Sequence, residues 1–201
     1  MRKFLLLFIV VLLTGCELPT NGIIKRSSFS ENTIAFKDSI IELTDGYAKM
    51  APDEFLTRLD SLKDKPMFKK VTLRELEKVK SKNVEFEIFV EDENIENYVL
   101  VYARDYVQFD EFSAQRYVAR LNDRLKDESN VQEVRYKRIH GRYFYTPKSK
   151  IVKLKYLKAL KKERKFQTEY IVSSQSGGMG LLVSNLDDVD FEDRIKKSTV
   201  K

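Results

Sequence analysis

The chain has 201 residues, and its 37 basic and 31 acidic side chains leave a net charge of +6. A single cysteine and a single histidine exclude an internal disulfide and a zinc site of the usual cysteine and histidine type. The length is sufficient for one domain with its own hydrophobic core.

The amino terminus is an apolar leader that ends at the cysteine. Two basic residues precede a ten-residue apolar run at 4–13, and two small residues then lead into Cys16. A helix needs about 20 apolar residues to cross a bilayer, whereas the apolar part of a secretory signal has about 7–15. The pattern therefore predicts a signal peptide at residues 1–15 rather than a transmembrane helix.

The residues Leu13-Thr14-Gly15-Cys16 resemble the lipobox of bacterial lipoproteins, which has a leucine three positions before an invariant cysteine. The resemblance implies that Cys16 receives a diacylglyceryl group and that a signal peptidase cuts between Gly15 and Cys16. It also implies a cell-envelope protein, lipid-anchored to a bacterial membrane on its extracytoplasmic side. Attachment through two or more acyl chains is stable. The alternative is an ordinary secretory signal with an incidental cysteine.

Residues 16–33 are predicted to be a flexible tether that follows the lipidated cysteine. They contain proline, asparagine, glycine, serine and threonine with little apolar periodicity. A coil of about 15 residues spans roughly 20 Å, which would lift a domain off a headgroup layer. A single domain is then predicted for residues 34–201.

The first half of this domain begins with apolar runs at 34–43 that suit a strand or a hairpin. Pro52, with acids after it, fits the first position of a helix that keeps its apolar spacing until Pro66. A second helix is predicted to begin at Thr72, because Thr72-x-x-Glu75 forms a capping box.

The apolar period then changes from that of a helix to that of a strand. Residues 84–90 alternate between apolar and polar, and residues 98–107 are predicted to form a second strand after a loop at 91–97. Asp110 is predicted to cap a long helix whose apolar face runs from Ala114 to Leu125.

The last third of the chain is predicted to be mainly antiparallel strands. Residues 131–139 and 142–146 flank His140-Gly141, which we interpret as a hairpin turn. Residues 151–160 suit either a strand or a helix, and we favour a strand because apolar residues alternate with lysines.

Two further strands, at 166–173 and 181–184, are predicted to flank a glycine-rich turn, and a short helix at 190–195 closes the chain. The predicted fold class is therefore α+β, with an antiparallel sheet and helices packed on it.

The order of these elements resembles the PsbP-like fold, named for the extrinsic proteins of photosystem II. That fold has an early hairpin, a helix laid across the sheet, a run of antiparallel strands and a closing helix. The resemblance covers about residues 34–197 and rests on element order, with the two helices at 52–82 as an addition. It implies a binding or assembly accessory rather than an enzyme, and it implies no particular functional residue.

No pattern in the sequence predicts a catalytic residue or a metal site. The glycine-rich run at 173–180 lacks the Lys-Ser or Lys-Thr of a phosphate-binding loop, and we interpret it as a hairpin loop. His140 is interpreted as a turn residue among cations, without an adjacent carboxylate. The acids at 91–93 and 187–193 are interpreted as loop and helix-start residues, and we expect no cofactor apart from the lipid on Cys16.

A basic segment at 135–165 has thirteen lysines or arginines and a single acid, Glu163, with aromatic residues interleaved. It is either an anion-binding surface or a set of solvated lysines that protect sheet edges. In the envelope its partner would be an anionic lipid or glycan, or a protein, rather than nucleic acid. The candidate surface residues are Lys137, Arg138, Arg142, Lys153 and Lys155, with Tyr143 and Tyr145.

The resulting hypothesis is a non-catalytic, membrane-anchored envelope lipoprotein that binds a partner or assists assembly. The alternative hypothesis is an envelope hydrolase that uses paired carboxylates, because the sequence has many acids. Two acids within about 10 Å of each other in a cleft would favour that alternative.

Overall fold

The computed structural model describes residues 29–34, 38–44, 46–132, 134–160 and 163–198. Its strands are β1 (Phe29–Ile34), β2 (Ser39–Thr44), β3 (Tyr47–Met50), β4 (Phe86–Glu91), β5 (Asn94–Arg104), β6 (Val134–Tyr145), β7 (Ser149–Leu160), β8 (Glu163–Ser174) and β9 (Gly177–Asn185). Its helices are α1 (Pro52–Ser61), α2 (Pro66–Lys80), α3 (Glu111–Gln132) and α4 (Glu192–Lys197). The lipobox and the predicted cleavage site at Gly15 and Cys16 lie outside the described residues.

Seven strands form one antiparallel sheet in the order β3-β4-β5-β9-β8-β7-β6, and β1 and β2 form a separate antiparallel pair. The strands β6 to β9 follow one another as a meander, because each pairs with its neighbour in sequence. Pairing of β9 with β5 joins this meander to the strands from the first half of the chain. The long helix α3 connects the middle of the sheet to its outer strand β6.

The sheet has apolar side chains on both faces, and each face is covered. On β5, Tyr98 and Leu100 belong to a core with α1 and α2, whereas Val99 and Val101 pack on the opposite face. That opposite core includes Ile41 of β2 and other side chains of the β1–β2 pair and α4. Helix α3 covers the helical face over β7 and β8. The arrangement confirms the predicted α+β fold class.

The first helix begins at Pro52, as predicted, but the second begins at Pro66 rather than at Thr72. Proline fits both positions because the first residues of a helix need no internal amide donor. Thr72 and Glu75 are buried in the middle of α2, so the predicted capping box is wrong. The Glu75 carboxylate instead accepts a hydrogen bond from the Tyr98 hydroxyl at 2.6 Å.

The predicted turn at His140-Gly141 is also wrong, because β6 continues through both residues with an irregularity between Arg138 and His140. The strand turns later, where the Ser149 amide donates to Thr146 Oγ1 at 3.0 Å. Gly141 is small for a packing reason: a Cβ there would lie 2.9 Å from Cγ1 of Val118 on α3.

The remaining element predictions differ mainly at their ends. Residues 151–160 are a strand, and the Ser113 amide donates to Asp110 Oδ1 at 2.6 Å at the start of α3, so both predictions are confirmed. The predicted loop at 91–97 shortens to a turn between β4 and β5. Strand β1 begins at Phe29, within the range predicted as tether. No helix among the described residues is long and apolar enough to span a membrane.

Three lysines of β7, Lys153, Lys155 and Lys158, are buried, and acids of this chain neutralise them. Lys153 is 0% exposed, and its ammonium lies 2.6 Å from Asp190 and 3.0 Å from Glu192, just before and at the start of α4. Lys155 pairs with Asp188 and also donates to the Val189 carbonyl at 3.3 Å. A buried charge needs such a partner, because desolvating it alone is unfavourable by several kcal/mol.

Replacing Lys153 by methionine should lower the free energy of unfolding by about 1–3 kcal/mol, because Asp190 and Glu192 lose the buried cation that they share, although Glu192 keeps Arg142 and Lys196. Lys148→Met, at an exposed position of the same basic segment, is the matched control and should change it by less than about 0.5 kcal/mol. Urea denaturation followed by circular dichroism measures both. Equal, small effects of the two substitutions would contradict a structural role for Lys153.

The ion pair between Lys153 and Asp190 also predicts how the stability of the fold depends on pH. Burial raises the pKa of Asp190, but hydrogen bonds from Lys153 and from the Glu192 amide outweigh it and lower the pKa from 3.8 to about 2. A depressed pKa stabilises the folded state above the unfolded value and loses that contribution as the pH falls toward the folded value. Stability should therefore fall between pH 3.8 and about 2.

Asp190→Asn should flatten this acid dependence, since the amide does not titrate. The control is Asp193→Asn in the helix that follows Asp190, because the side chain of Asp193 is 92% exposed. Unfolding free energies measured by urea titration at several pH values test the difference. An identical acid dependence in the wild type and Asp190→Asn would rule out this origin.

Candidate functional site

The structure separates the seven candidate surface residues into two groups. Lys137, Arg138, Arg142 and Tyr145 are exposed on β6, the outer strand of the sheet, and Tyr145 is 77% exposed. Tyr143 lies on the same face of β6 as Tyr145, half-buried, and its hydroxyl donates to the Phe109 carbonyl at 3.3 Å.

Lys153 and Lys155 do not belong to that surface. They lie on β7, are buried and pair with acids of the same chain, so their predicted place in an exposed patch is corrected. The physical reason is that both faces of β7 are covered, whereas alternation of lysines with apolar residues predicts one solvated face. The exposed basic surface is therefore carried by β6.

A groove runs between α3 and β6. It consists of two adjoining hollows of about 280 and 270 Å³, and Asn122 and Arg138 line both of them. We call it the basic groove, and its lining is Ala114, Gln115, Val118, Ala119, Asn122, Leu125 and Lys126 from α3, Tyr136, Arg138, Gly141, Arg142 and Tyr143 from β6, and Tyr156 from β7.

The lining of the basic groove carries positive charge and no carboxylate. Its cations are Lys126, Arg138 and Arg142. Arg142 lies 3.3 Å from Glu192 and Lys126 lies 3.8 Å from Asp123, which is on the exposed side of α3. Arg138 has no acidic partner among the residues that the structure describes. An anion could therefore bind here without displacing a buried ion pair.

Strand β6 also leaves one edge open, because β7 is its sole partner within the described sheet. Exposed cations and an irregular register both discourage a second sheet from pairing with such an edge. The exposed basic side chains of β6 thus suit protection of this edge, and their binding of an anion stays a prediction.

A second hollow lies on the helical face between α2 and α3, with a volume of about 310 Å³. We call it the tyrosine cleft, because it is lined by Tyr102, Tyr117, Tyr136 and Tyr156 together with Lys82, Arg104 and Arg124. No sequence pattern predicted this cleft. The residues named above come from β5, α3, β6, β7 and the segment after α2, which are distant from one another in the sequence. The closest signal is the repeated tyrosine on adjacent strands.

His140 and the glycine-rich run, which were considered as functional candidates from the sequence, belong to a strand and to a turn of the sheet. His140 lies within β6, and burial, together with the Lys153 cation, lowers the pKa of its imidazole. The glycine-rich run forms a two-residue turn at 175–176 between β8 and β9, so the hairpin interpretation is confirmed. No group of three metal-ligating side chains occurs among the described residues.

The acids that could form a hydrolytic pair bind cations of this chain. Asp188, Asp190 and Glu192 contact the lysines of β7. In the tyrosine cleft, Glu75 pairs with Lys158, and Glu169 lies 3.6 Å from Arg124. These pairings favour structural roles for the acidic clusters over the paired-carboxylate chemistry of a hydrolase.

The chain resembles known proteins in its fold and not in its sequence. No family model matches the sequence, and no curated protein is significantly similar to it. The solution structure of cyanobacterial PsbP (CyanoP) from Synechocystis sp. PCC 6803 matches with a TM-score of 0.52 and 8% identity, over 92% of this chain and 99% of that one. At this identity the likeness concerns the fold, and it confirms the PsbP-like arrangement that the element order predicted.

Proposed function

We propose that the chain is a non-catalytic accessory lipoprotein of a bacterial cell envelope, anchored through acylated Cys16, whose basic groove binds an anionic partner. The anchor rests on the sequence, in which a short apolar run and two small residues lead into Cys16. The accessory role is in keeping with the likeness of the fold to a cyanobacterial PsbP.

The observation that carries the proposal is the charge of the basic groove. The fold neutralises the buried lysines of β7 with its own acids, but it places no carboxylate in the groove lining. The positive charge that remains for an external partner is thus concentrated on β6 and the facing side of α3. Complementary charge speeds encounter and selects anionic partners.

The partner we favour is the anionic headgroup surface of the membrane that holds the anchor. Residues 17–28 separate Cys16 from β1, and a coil of this length spans roughly 20 Å, which would give the domain room to turn toward that surface. Exposed aromatic side chains lie near one end of the groove, with Phe112 at 68% and Tyr145 at 77% exposure. Such rings suit a boundary between apolar and polar material. An acidic envelope glycan is the other partner with the same chemistry.

Binding to vesicles tests the groove. The chain without residues 1–16 should sediment with anionic vesicles and not with neutral ones, and added salt should weaken the association because it screens exposed charges. A surface cation contributes about 1 kcal/mol near an anionic membrane. The double charge reversal Lys126→Glu and Arg138→Glu should therefore reduce binding by more than about tenfold.

The matched control is Lys63→Glu with Lys70→Glu, which reverses two exposed charges outside the groove lining. This control should retain most of the binding. Equal losses in both double variants would reduce the effect to net charge. Absence of binding to any vesicle, combined with binding to an acidic polysaccharide, would replace the lipid by the glycan.

The anchor is tested separately in the full chain. Expressed in a bacterium, the wild type should incorporate a labelled fatty acid and partition into a detergent phase, because the acyl chains supply the apolar surface. Cys16→Ala should do neither, whereas Ser27→Ala in the predicted tether should behave like the wild type. A labelled Cys16→Ala protein, or an unlabelled wild type, would contradict lipidation at this cysteine.

A further inference from the structure

The tyrosine cleft has the construction of a small-molecule site that differs from the basic groove. Its volume of about 310 Å³ lies at the lower end of the range of about 300–1,000 Å³ that small-molecule sites occupy. Another hollow, of about 420 Å³, adjoins the tyrosine cleft, and Lys82 and Arg104 line both the cleft and this hollow. Two cations therefore stand where the two hollows meet.

The floor beneath Lys82 is built by a stack of residues from three segments. A Cβ at Gly180 of β9 would overlap the ring of Tyr102 on the neighbouring strand β5, so the absence of a side chain at 180 lets this ring lie flat on the sheet. The ammonium of Lys82 in turn lies 4.2 Å from the centroid of the Tyr102 ring. The glycine thus fixes an aromatic surface, and the cation lies over it.

The cations of the cleft exceed what its acids neutralise. Lys82 and Arg104 form no ion pair among the described residues, although Arg104 donates to the Tyr117 hydroxyl at 3.4 Å and lies 5.9 Å from that ring. Partial burial and then the neighbouring Arg104 lower the pKa of Lys82, which Glu169 opposes. Converging cations of this kind lose repulsion when an anion binds between them.

Two buried polar side chains of β8, Glu169 and Gln167, also line the cleft. Glu169 is 9% exposed, and its Oε1 accepts the Tyr156 hydroxyl at 3.3 Å, whereas its Oε2 accepts no hydrogen bond from the described residues. Gln167 uses Oε1 to accept from Lys158 at 3.1 Å, which leaves the amide nitrogen as a donor. A ligand that reaches this floor needs hydroxyl groups, which both donate and accept.

We propose that the tyrosine cleft binds a small anionic sugar, with its phosphate or carboxylate between Lys82 and Arg104 and its hydroxyls on Glu169 and Gln167. The two cations supply charge-assisted hydrogen bonds to the acidic group. The half-buried ring of Tyr117 supplies apolar surface for a sugar ring, whereas Tyr102, between Gly180 and Lys82, supports the cation from below. A bare anion would leave the carboxylate of Glu169 unused, and a neutral sugar would leave the two cations unused, so each fits the cleft less well.

Calorimetric titration of the chain without residues 1–16 tests this site with four probes. Glucose 6-phosphate and glucuronate should bind, whereas glucose and inorganic phosphate should bind at least about tenfold more weakly. The chain has ten tyrosines and no tryptophan, so tyrosine fluorescence gives an independent readout of a cleft that four tyrosines line.

Lys82→Ala should weaken the binding of glucose 6-phosphate by about tenfold or more, since it removes a charged hydrogen-bond donor. Lys82 is exposed and follows the end of α2, so this variant should keep the wild-type melting temperature. Lys80→Ala, in the last turn of α2 and outside the lining, is the matched control. Glu169→Gln should weaken the sugar phosphate and leave any residual phosphate binding unchanged or stronger.

The outcomes also separate this site from the basic groove, because the Lys126→Glu and Arg138→Glu variant should bind glucose 6-phosphate like the wild type. Inorganic phosphate binding as tightly as the sugar phosphate would overturn the assignment of a sugar ligand. Failure of both acidic sugars to bind, or unaltered binding in Lys82→Ala, would overturn the site itself.

Discussion

The bond between the buried Lys153 ammonium and the carboxylates of Asp190 and Glu192 is the constraint on which one face of the sheet depends. Lys153 lies on β7 with both strand neighbours in place, so water cannot solvate its charge. Its two acids come just before and at the start of α4 and thereby fix where this helix lies. Phe191, between those acids, then contributes to the core with Tyr47 and the β1–β2 pair. The same short segment therefore both neutralises Lys153 and helps to bury the apolar side chains on this face of the sheet.

The same requirement organises the helical face. Lys158 of β7 pairs with Glu75 of α2, whose carboxylate also accepts from Tyr98. Lys165 of β8 lies 2.9 Å from Glu96, and burial lowers the pKa of this lysine to about 8 although Glu96 opposes the shift. The pair between Lys158 and Glu75 ties the second helix to β7, and the pair between Lys165 and Glu96 ties β8 to β5, because neither partner can move into an apolar position without losing its counter-charge. Four of the thirteen cations of the basic segment, Lys153, Lys155, Lys158 and Lys165, are therefore buried within the fold.

Sequence periodicity predicted the types and order of the elements well, because it reports which side of each element is apolar. Periodicity gave wrong predictions where a residue contacts a part of the chain that is distant in the sequence. Gly141 reads as a turn residue but makes room for Val118 of α3, and Thr72 reads as a helix cap but is buried within α2. Lys153 and Lys155 read as solvated because their acids lie more than thirty residues away. The tyrosine cleft could not be predicted, since its residues meet only through the sheet order.

The contrast between two lysines shows what distinguishes a structural cation from one that is available to a ligand. Lys155 and Lys82 both lie near an aromatic ring, at 5.7 Å from Phe166 and 4.2 Å from Tyr102. Lys155 also pairs with Asp188, whereas Lys82 forms no ion pair among the described residues and lies near the cation of Arg104. An aromatic ring contributes only about 0.5–1 kcal/mol to a cation that water still reaches. The field of one ring is small beside the repulsion between Lys82 and Arg104, and an anion bound between them would relieve that repulsion.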